Sequence, residues 1–180
     1  MIRVIGGQYK GKRLKRVPGK SVRPIPHKLK ESLFNIIQEK LSGSIVLDGF
    51  AGTGSFGIEA LSRGAEVVVF VDDHYPSVKV IKENILKCGA KEKARVMHKE
   101  FNRAVIQLAK EESQFDLIFL DPPYRLLDER DPLKVISKRD ILKKGGQVIL
   151  RRFYKTKFVS QHLRRKRQVF LGDDCLSFYE

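Results

Sequence analysis

From residue 44 onward the chain alternates short, continuous apolar runs with longer stretches of helical periodicity, a pattern that few folds accept. Ser44–Phe50, Glu66–Asp72, Arg95–His98, Phe115–Leu120 and Gln147–Leu150 read as strands. Phe56–Arg63, Tyr75–Cys88, Phe101–Glu112 and Pro132–Leu142 carry apolar residues at helical spacing. Strands that are apolar throughout need cover on both faces, so the alternation predicts an α/β protein with a mostly parallel, Rossmann-like, doubly wound sheet. Gln168–Leu171 and Cys175–Tyr179, joined at Gly172-Asp173-Asp174, finish it as a C-terminal antiparallel hairpin. A chain of 180 residues suffices for one such domain and an appendage. The domain spans residues 44–180 and the appendage residues 1–43. In the appendage, Ile2–Ile5 and Tyr9–Val17 read as short strands of a hairpin-like arm around Gly6-Gly7, and Pro18-Gly19 ends it. Pro24 and Pro26 hold an extended stretch, and His27–Leu41 reads as a helix closed by Ser42-Gly43.

Sheets of this kind bind ligands beyond the carboxyl ends of their strands, which directs attention to the first turn of the domain. It runs Asp48-Gly49-Phe50-Ala51-Gly52-Thr53-Gly54-Ser55-Phe56-Gly57, with a helix immediately after. Gly52-x-Gly54-x-x-Gly57 fits a dinucleotide fingerprint, and Asp72, 20 residues after Gly52, fits the acid that accepts from a ribose hydroxyl. Asp48 argues against NAD, because a pyrophosphate brings negative charge toward that carboxylate. S-adenosylmethionine has no phosphate and carries a sulfonium and an ammonium, so the charge of the turn favours it. A hydride-transferring histidine is also missing from the rim. Glu100, just past the third strand, is placed to accept from an adenine amino group or to open the Phe101 helix where the helix dipole favours an acid.

The fourth strand runs straight into Asp121-Pro122-Pro123-Tyr124. Two prolines remove two backbone donors and hold the chain extended, which leaves the carbonyls near Asp121 and Pro122 free as acceptors. An exocyclic amino group on a base is a poor nucleophile, since its lone pair is delocalised into the ring. Accepting its two N–H groups on the Asp121 carboxylate and the Pro122 carbonyl aims that lone pair at a methyl sulfonium. Tyr124 is suited to stack on the base. Such a transfer needs no metal. The four histidines are scattered, and Cys88 and Cys175 form no C-x-x-C pair, so neither a metal centre nor a disulfide is expected.

The net charge of +15 is unevenly spread. Residues 1–30 hold ten Lys and Arg and no acid, and residues 141–172 hold ten more and again no acid. Charge of one sign in two blocks repels itself, so solubility alone explains it poorly. A polyanion footprint explains it better, with Lys10, Lys12, Arg13, Lys15, Arg16, Lys20 and Arg23 at one end and Arg151, Arg152, Arg164, Arg165, Lys166 and Arg167 at the other. Nucleic acid is the expected partner. A membrane surface fits less well, because Gly and Pro interrupt the bases. The longest apolar run, Val67–Val71, is far too short to span a bilayer, and no signal pattern opens the chain, so a cytoplasmic setting is expected.

Taken together, the sequence resembles the class I S-adenosylmethionine-dependent methyltransferases. Within them it resembles the bacterial RsmD-type enzymes that methylate guanine N2 in 16S ribosomal RNA. The Asp48–Gly54 turn and Asp121–Tyr124 are shared with many amino methyltransferases, including those acting on adenine N6. Narrower marks are Ile5–Leu14, Arg23-Pro24, Lys30–Ile36 and Gly57–Gly64. The resemblance implies Asp121, Pro122 and Tyr124 as catalytic residues. It implies a cofactor shell of Asp48, Phe50, Ala51, Gly52, Gly54, Asp72, Glu100, Phe101 and Asp121, and RNA contacts by Lys10, Lys12, Arg13 and Arg23. It further implies a monomer acting on small ribosomal subunits or their assembly intermediates. Two stretches depart from the family pattern, Ile25-Pro26-His27 and Arg151-Arg152. The competing expectations are an adenine-N6 or other amino methyltransferase, and an RNA-binding assembly factor without catalysis, which would have no need of Asp121.

Overall fold

The apolar runs become the strands of one sheet in a computed structural model that describes residues 2–19 and 25–180, apart from the side chains of Tyr124 and Asp128. Strands β1 (Ile2–Arg3) and β2 (Arg13–Leu14) pair antiparallel in the N-terminal arm, and α1 (His27–Ile36) follows. Then come β3 (Ile45–Gly49), α2 (Ser55–Ser62), β4 (Val67–Asp72), α3 (Tyr75–Cys88), β5 (Ala94–His98), α4 (Phe101–Lys110) and β6 (Phe115–Leu120). Helices α5 (Tyr124–Glu129) and α6 (Pro132–Arg139) precede β7 (Leu142–Phe153), β8 (Arg165–Leu171) and β9 (Asp174–Tyr179). The sheet order is β5-β4-β3-β6-β7-β9-β8. Its first five strands are parallel, and β9 runs antiparallel to both β7 and β8. The strand order changes direction between β3 and β6, so the crevice at their carboxyl ends is the topological switch point.

Each strand sends alternate side chains to opposite faces, and both faces are covered. Val46, Val68, Phe70, Leu117 and Phe119 pack on one face with Ile58, Ile81 and Ile85 of α2 and α3. Leu47, Val69, Val71, Ile118 and Leu120 pack on the other with Val105, Leu108, Leu133 and Ile136 of α4 and α6. Residues of the first 43 join the first of these layers: Val4, Leu14, Leu29, Leu33, Phe34, Ile37 and Leu41 are all buried in it. The arm is also tied down by one carboxylate, that of Glu59 on α2. Its Oε2 accepts from the Ile5 amide at 2.9 Å and Lys30 Nζ at 2.8 Å, and its Oε1 from the Gly6 amide at 2.8 Å and Arg63 Nε at 2.9 Å.

Several elements differ from the sequence expectation. Of Tyr9–Val17 only Arg13 and Leu14 pair as strand, because Tyr9 to Lys12 form the turn that brings them back onto Ile2 and Arg3. The first long helix stops at Ile36 and tightens into a 3-10 turn at Gln38–Lys40. Helix α6 ends at Arg139, where Asp140 turns left-handed. Strand β7 is three times the expected length, since it pairs with β6 on one side and continues along β9 on the other. Among the described residues, no helix is long and apolar enough to cross a membrane.

Candidate active site at the carboxyl rim

The turn after β3 is built around two carboxylates. Asp48, 1% exposed at the end of β3, accepts from the Gly57 amide at 2.8 Å and so braces the first turn of α2 against the strand. Gly57 is glycine for want of room: a Cβ there would collide with Phe70 and Val68. Burial pushes the Asp48 carboxyl well above the ordinary carboxylate range, with the Gly57 amide opposing and Asp121 and Asp72 adding to the rise. Asp72 spans two strand ends, accepting from the Gly52 amide at 2.7 Å on Oδ2 and the His74 amide at 2.9 Å on Oδ1. Each oxygen keeps capacity for a further donor such as a ribose hydroxyl. Phe50 holds a left-handed backbone at φ 62°, unusual for a non-glycine residue, and its ring stacks on Phe101 at 4.9 Å.

These residues line a cleft of about 1110 Å³. It gathers Asp48, Phe50, Ala51, Gly52, Asp72, Glu100, Phe101, Asp121 and Pro122, which come from four separate strand ends. Gly54 lies beneath, a left-handed N-cap of α2 that lets the chain turn into the helix. Glu100 caps α4 by accepting from the Arg103 amide at 3.0 Å, and Arg130 stands 3.6 Å away, so its local structural role is realised while its side chain still lines the cleft. Arg3, Arg16, Val17 and Lys30 of the N-terminal segment close one side. The Lys30 side chain is buried and spans Arg3 O at 2.9 Å and Ser55 Oγ at 3.2 Å. Burial pulls its pKa down, and Glu59 holds it up.

Asp121 follows β6 and reaches the cleft with a side chain one quarter exposed. Its Oδ2 accepts from Arg151 Nη1 at 2.9 Å. Burial raises the Asp121 pKa while Arg151 opposes. Arg151 is itself held by Asp174, whose Oδ1 lies 3.0 Å from Nε and 2.9 Å from Nη2. This corrects the expectation that Arg151 and Arg152 belong to an exposed basic flank. They are 3% and 6% exposed, because the C-terminal hairpin covers the end of β7. Arg152 donates to the carbonyls of Phe153, Tyr154 and Thr156.

The remaining expected RNA contacts, Lys10, Lys12 and Arg13, are exposed and stand apart from the cleft. Lys12 has a structural task as well, donating to the Lys87 and Cys88 carbonyls at the end of α3. Arg23 lies outside the described residues, as does the Tyr124 side chain. Arg151 and Asp174 were missed as site residues. Arg151 lies inside β7 in a basic run and Asp174 opens β9, and neither gives a local signal of its place at the rim.

This strand order, with the switch-point cleft between a glycine turn and Asp-Pro-Pro-Tyr, defines a class I methyltransferase fold. The chain belongs to the RsmD family, whose description as conserved hypothetical protein 95 matches residues 2–180. It is 40% identical to the Bacillus subtilis protein YlbH over 148 residues, 82% of this chain and 80% of that one. It is 33% identical over 149 residues to ribosomal RNA small subunit methyltransferase D of Haemophilus influenzae, covering 82% of this chain and 76% of the relative. Among solved structures, a hypothetical protein of Thermus thermophilus superposes with a TM-score of 0.87 at 27% identity, covering 100% of this chain and 99% of that one.

Proposed function

We propose that this protein transfers a methyl group from S-adenosylmethionine to the exocyclic N2 of a specific guanine in small-subunit (16S) ribosomal RNA. The observation that carries the reading is the Asp121 carboxylate, held at the switch-point cleft beside the Pro122 carbonyl and across from the glycine turn. The relatives' name, small subunit methyltransferase D, supports the substrate. The cleft suits this cofactor: Asp48, Asp72 and Glu100 offer acceptors to cationic and hydroxyl groups, and a pyrophosphate would meet repulsion there. When bound, the cofactor supplies an electrophilic methyl group.

The chain's own part is positioning. Asp121 and the Pro122 carbonyl accept the two amino hydrogens, orient the nitrogen and localise its lone pair. Asp121 is also placed to take the proton that the methylated nitrogen sheds. Asp72 receives a ribose hydroxyl, Phe50 and Phe101 offer apolar faces, and Tyr124 stacks on the target base. Residues 1–43 serve as the RNA-binding extension of the catalytic domain at 44–180, with Lys10, Lys12, Arg13 and Arg23 toward the phosphates.

Nucleoside mass spectrometry of unmethylated small-subunit RNA after incubation with protein and methyl donor tests the reading. N2-methylguanosine is expected. N6-methyladenosine would assign the site to adenine, and the absence of any methylated nucleoside would leave an RNA binder without catalysis.

A further inference from the structure

The rim holds a charge chain that substrate positioning alone does not explain. Leu120 and Leu150 are register partners, so Asp121, the first residue past β6, and Arg151, where β7 runs on beyond its pairing with β6, lie side by side at the rim. Phe153 is the register partner of Asp174, which brings a second carboxylate from the C-terminal hairpin to the far side of the same guanidinium. Three side chains from three strands then stand in line, Asp174–Arg151–Asp121, with contacts of 2.9 to 3.0 Å. Arg151 and Asp174 are 3% and 1% exposed, while Asp121 opens to the cleft. Arg151 occupies Asp121 Oδ2, and among the described residues nothing engages Oδ1.

We propose that Arg151, braced from behind by Asp174, is a positioning residue that holds the Asp121 carboxylate in its charged form with Oδ1 turned to the substrate amine. This rests on the function proposed above. A planar guanidinium gripped on one side has few ways to reorient, so it fixes the carboxylate plane in a way that a flexible ammonium does not. The charge matters as much as the angle. A carboxyl that carries its own proton loses an acceptor site for an amine hydrogen and has no place for the proton released on methylation. Arg151 from β7 and Asp174 from β9 act on that charge, Asp48 from β3 is coupled to it, and Lys30 and Glu100 line the same cleft. Of these, Arg151 is the cation in contact with the carboxylate.

The test compares wild type with Arg151→Met, Arg151→Lys and Asp174→Asn in single-turnover methyl transfer to unmethylated small subunits across pH 5–9. Arg151→Met is expected to lower the maximal rate by roughly 30-fold or more, with cofactor and RNA dissociation constants within about threefold of wild type. The acid limb of its pH profile is expected to move up by about one unit or more, since an unpaired buried carboxyl keeps its proton longer. Arg151→Lys should recover part of the rate and most of the limb. Asp174→Asn should lower the rate by less than Arg151→Met through the loosened guanidinium, while its acid limb should not rise, because the substitution removes a carboxylate that raises the Asp121 pKa. Carbon-13 NMR of the aspartate carboxyls without RNA reads the Asp121 titration independently of activity. If Arg151→Met does not fold, Arg151→Lys and Asp174→Asn carry the comparison. Wild-type rates in the folded variants, with an unmoved acid limb in those of Arg151, would overturn the positioning role and leave the proposed function standing. No transfer by wild type would remove both.

Discussion

At the scale of single residues, the rim is costly to fold and that cost points to use. Asp48 is buried, and the Gly57 amide it accepts from offsets that burial only in part, so ionising it in the folded protein is unfavourable. Its folded pKa is raised, so its contribution to stability is fully present below the unfolded value of about 3.9 and is lost as pH climbs through the folded value. Asp48→Asn keeps an oxygen for Gly57 and removes that loss. Its Tm should exceed wild type by about 2–4 °C at pH 8 and by less at pH 5, while cofactor affinity falls about tenfold. Thermal melts at both pH values with titration calorimetry decide it, and a lower Tm at both would make Asp48 a packing residue. For Asp121→Ala the expected loss is about 10²-fold in the single-turnover rate, with Asp121→Asn retaining more. Full activity in the alanine variant would take Asp121 out of the mechanism. Asp48, Asp72 and Asp121 were legible because acids at strand ends break an apolar pattern at a predictable place. Arg151 was not, since a base in a basic segment reads as surface until Asp174, 23 residues on, is seen behind it.

At the scale of elements, α2 joins the two halves of the site. It starts in the glycine turn, with Gly57 held by Asp48, and two residues later Glu59 grips the N-terminal arm and Lys30. Glu59→Ala removes a fully buried carboxylate that two amides, the Arg63 guanidinium and the buried Lys30 ammonium share, leaving Lys30 without its ion pair. The expected destabilisation is about 3–5 kcal/mol in chemical denaturation, with faster hydrogen exchange concentrated in residues 2–14. A loss spread evenly over the sheet would contradict the clamp. Strand and helix alternation was readable because each element's periodicity is local. Helix α5 was not, for six residues after two prolines carry too few turns to show a period. Nor was the packing of the first 43 residues into the sheet's own apolar layer, since Val4 and Leu14 look the same in a free arm and in a shared core.

At the scale of the whole molecule, the charge excess divides into bases that face solvent and bases the fold consumes. Arg151, Arg152 and Lys30 belong to the second group. Lys12 is shared with the end of α3, which leaves Lys10 and Arg13 as the cleaner probes of RNA binding. Reversing both to Glu should weaken RNA affinity across sequences and reduce its salt dependence by a slope of about one per lost phosphate contact, with cofactor binding unchanged. Fluorescence anisotropy over a salt series measures this, and an unchanged slope would confine the arm to keeping the protein in solution. Sequence alone exposed the charge blocks but not this division, which depends on which strand covers which. The position of β8 has a separate consequence. It is the outermost strand of the sheet and, among the described residues, pairs only with β9, which leaves one row of its amides and carbonyls without a strand partner there; Phe170 beside them is 58% exposed. Arg164, Arg165, Lys166 and Arg167 set like charge against like whenever two copies approach along that row, which discourages sheet-to-sheet aggregation. Replacing Arg165, Lys166 and Arg167 together by Thr should make light scattering rise with protein concentration where wild type stays flat, with no RNA present at all.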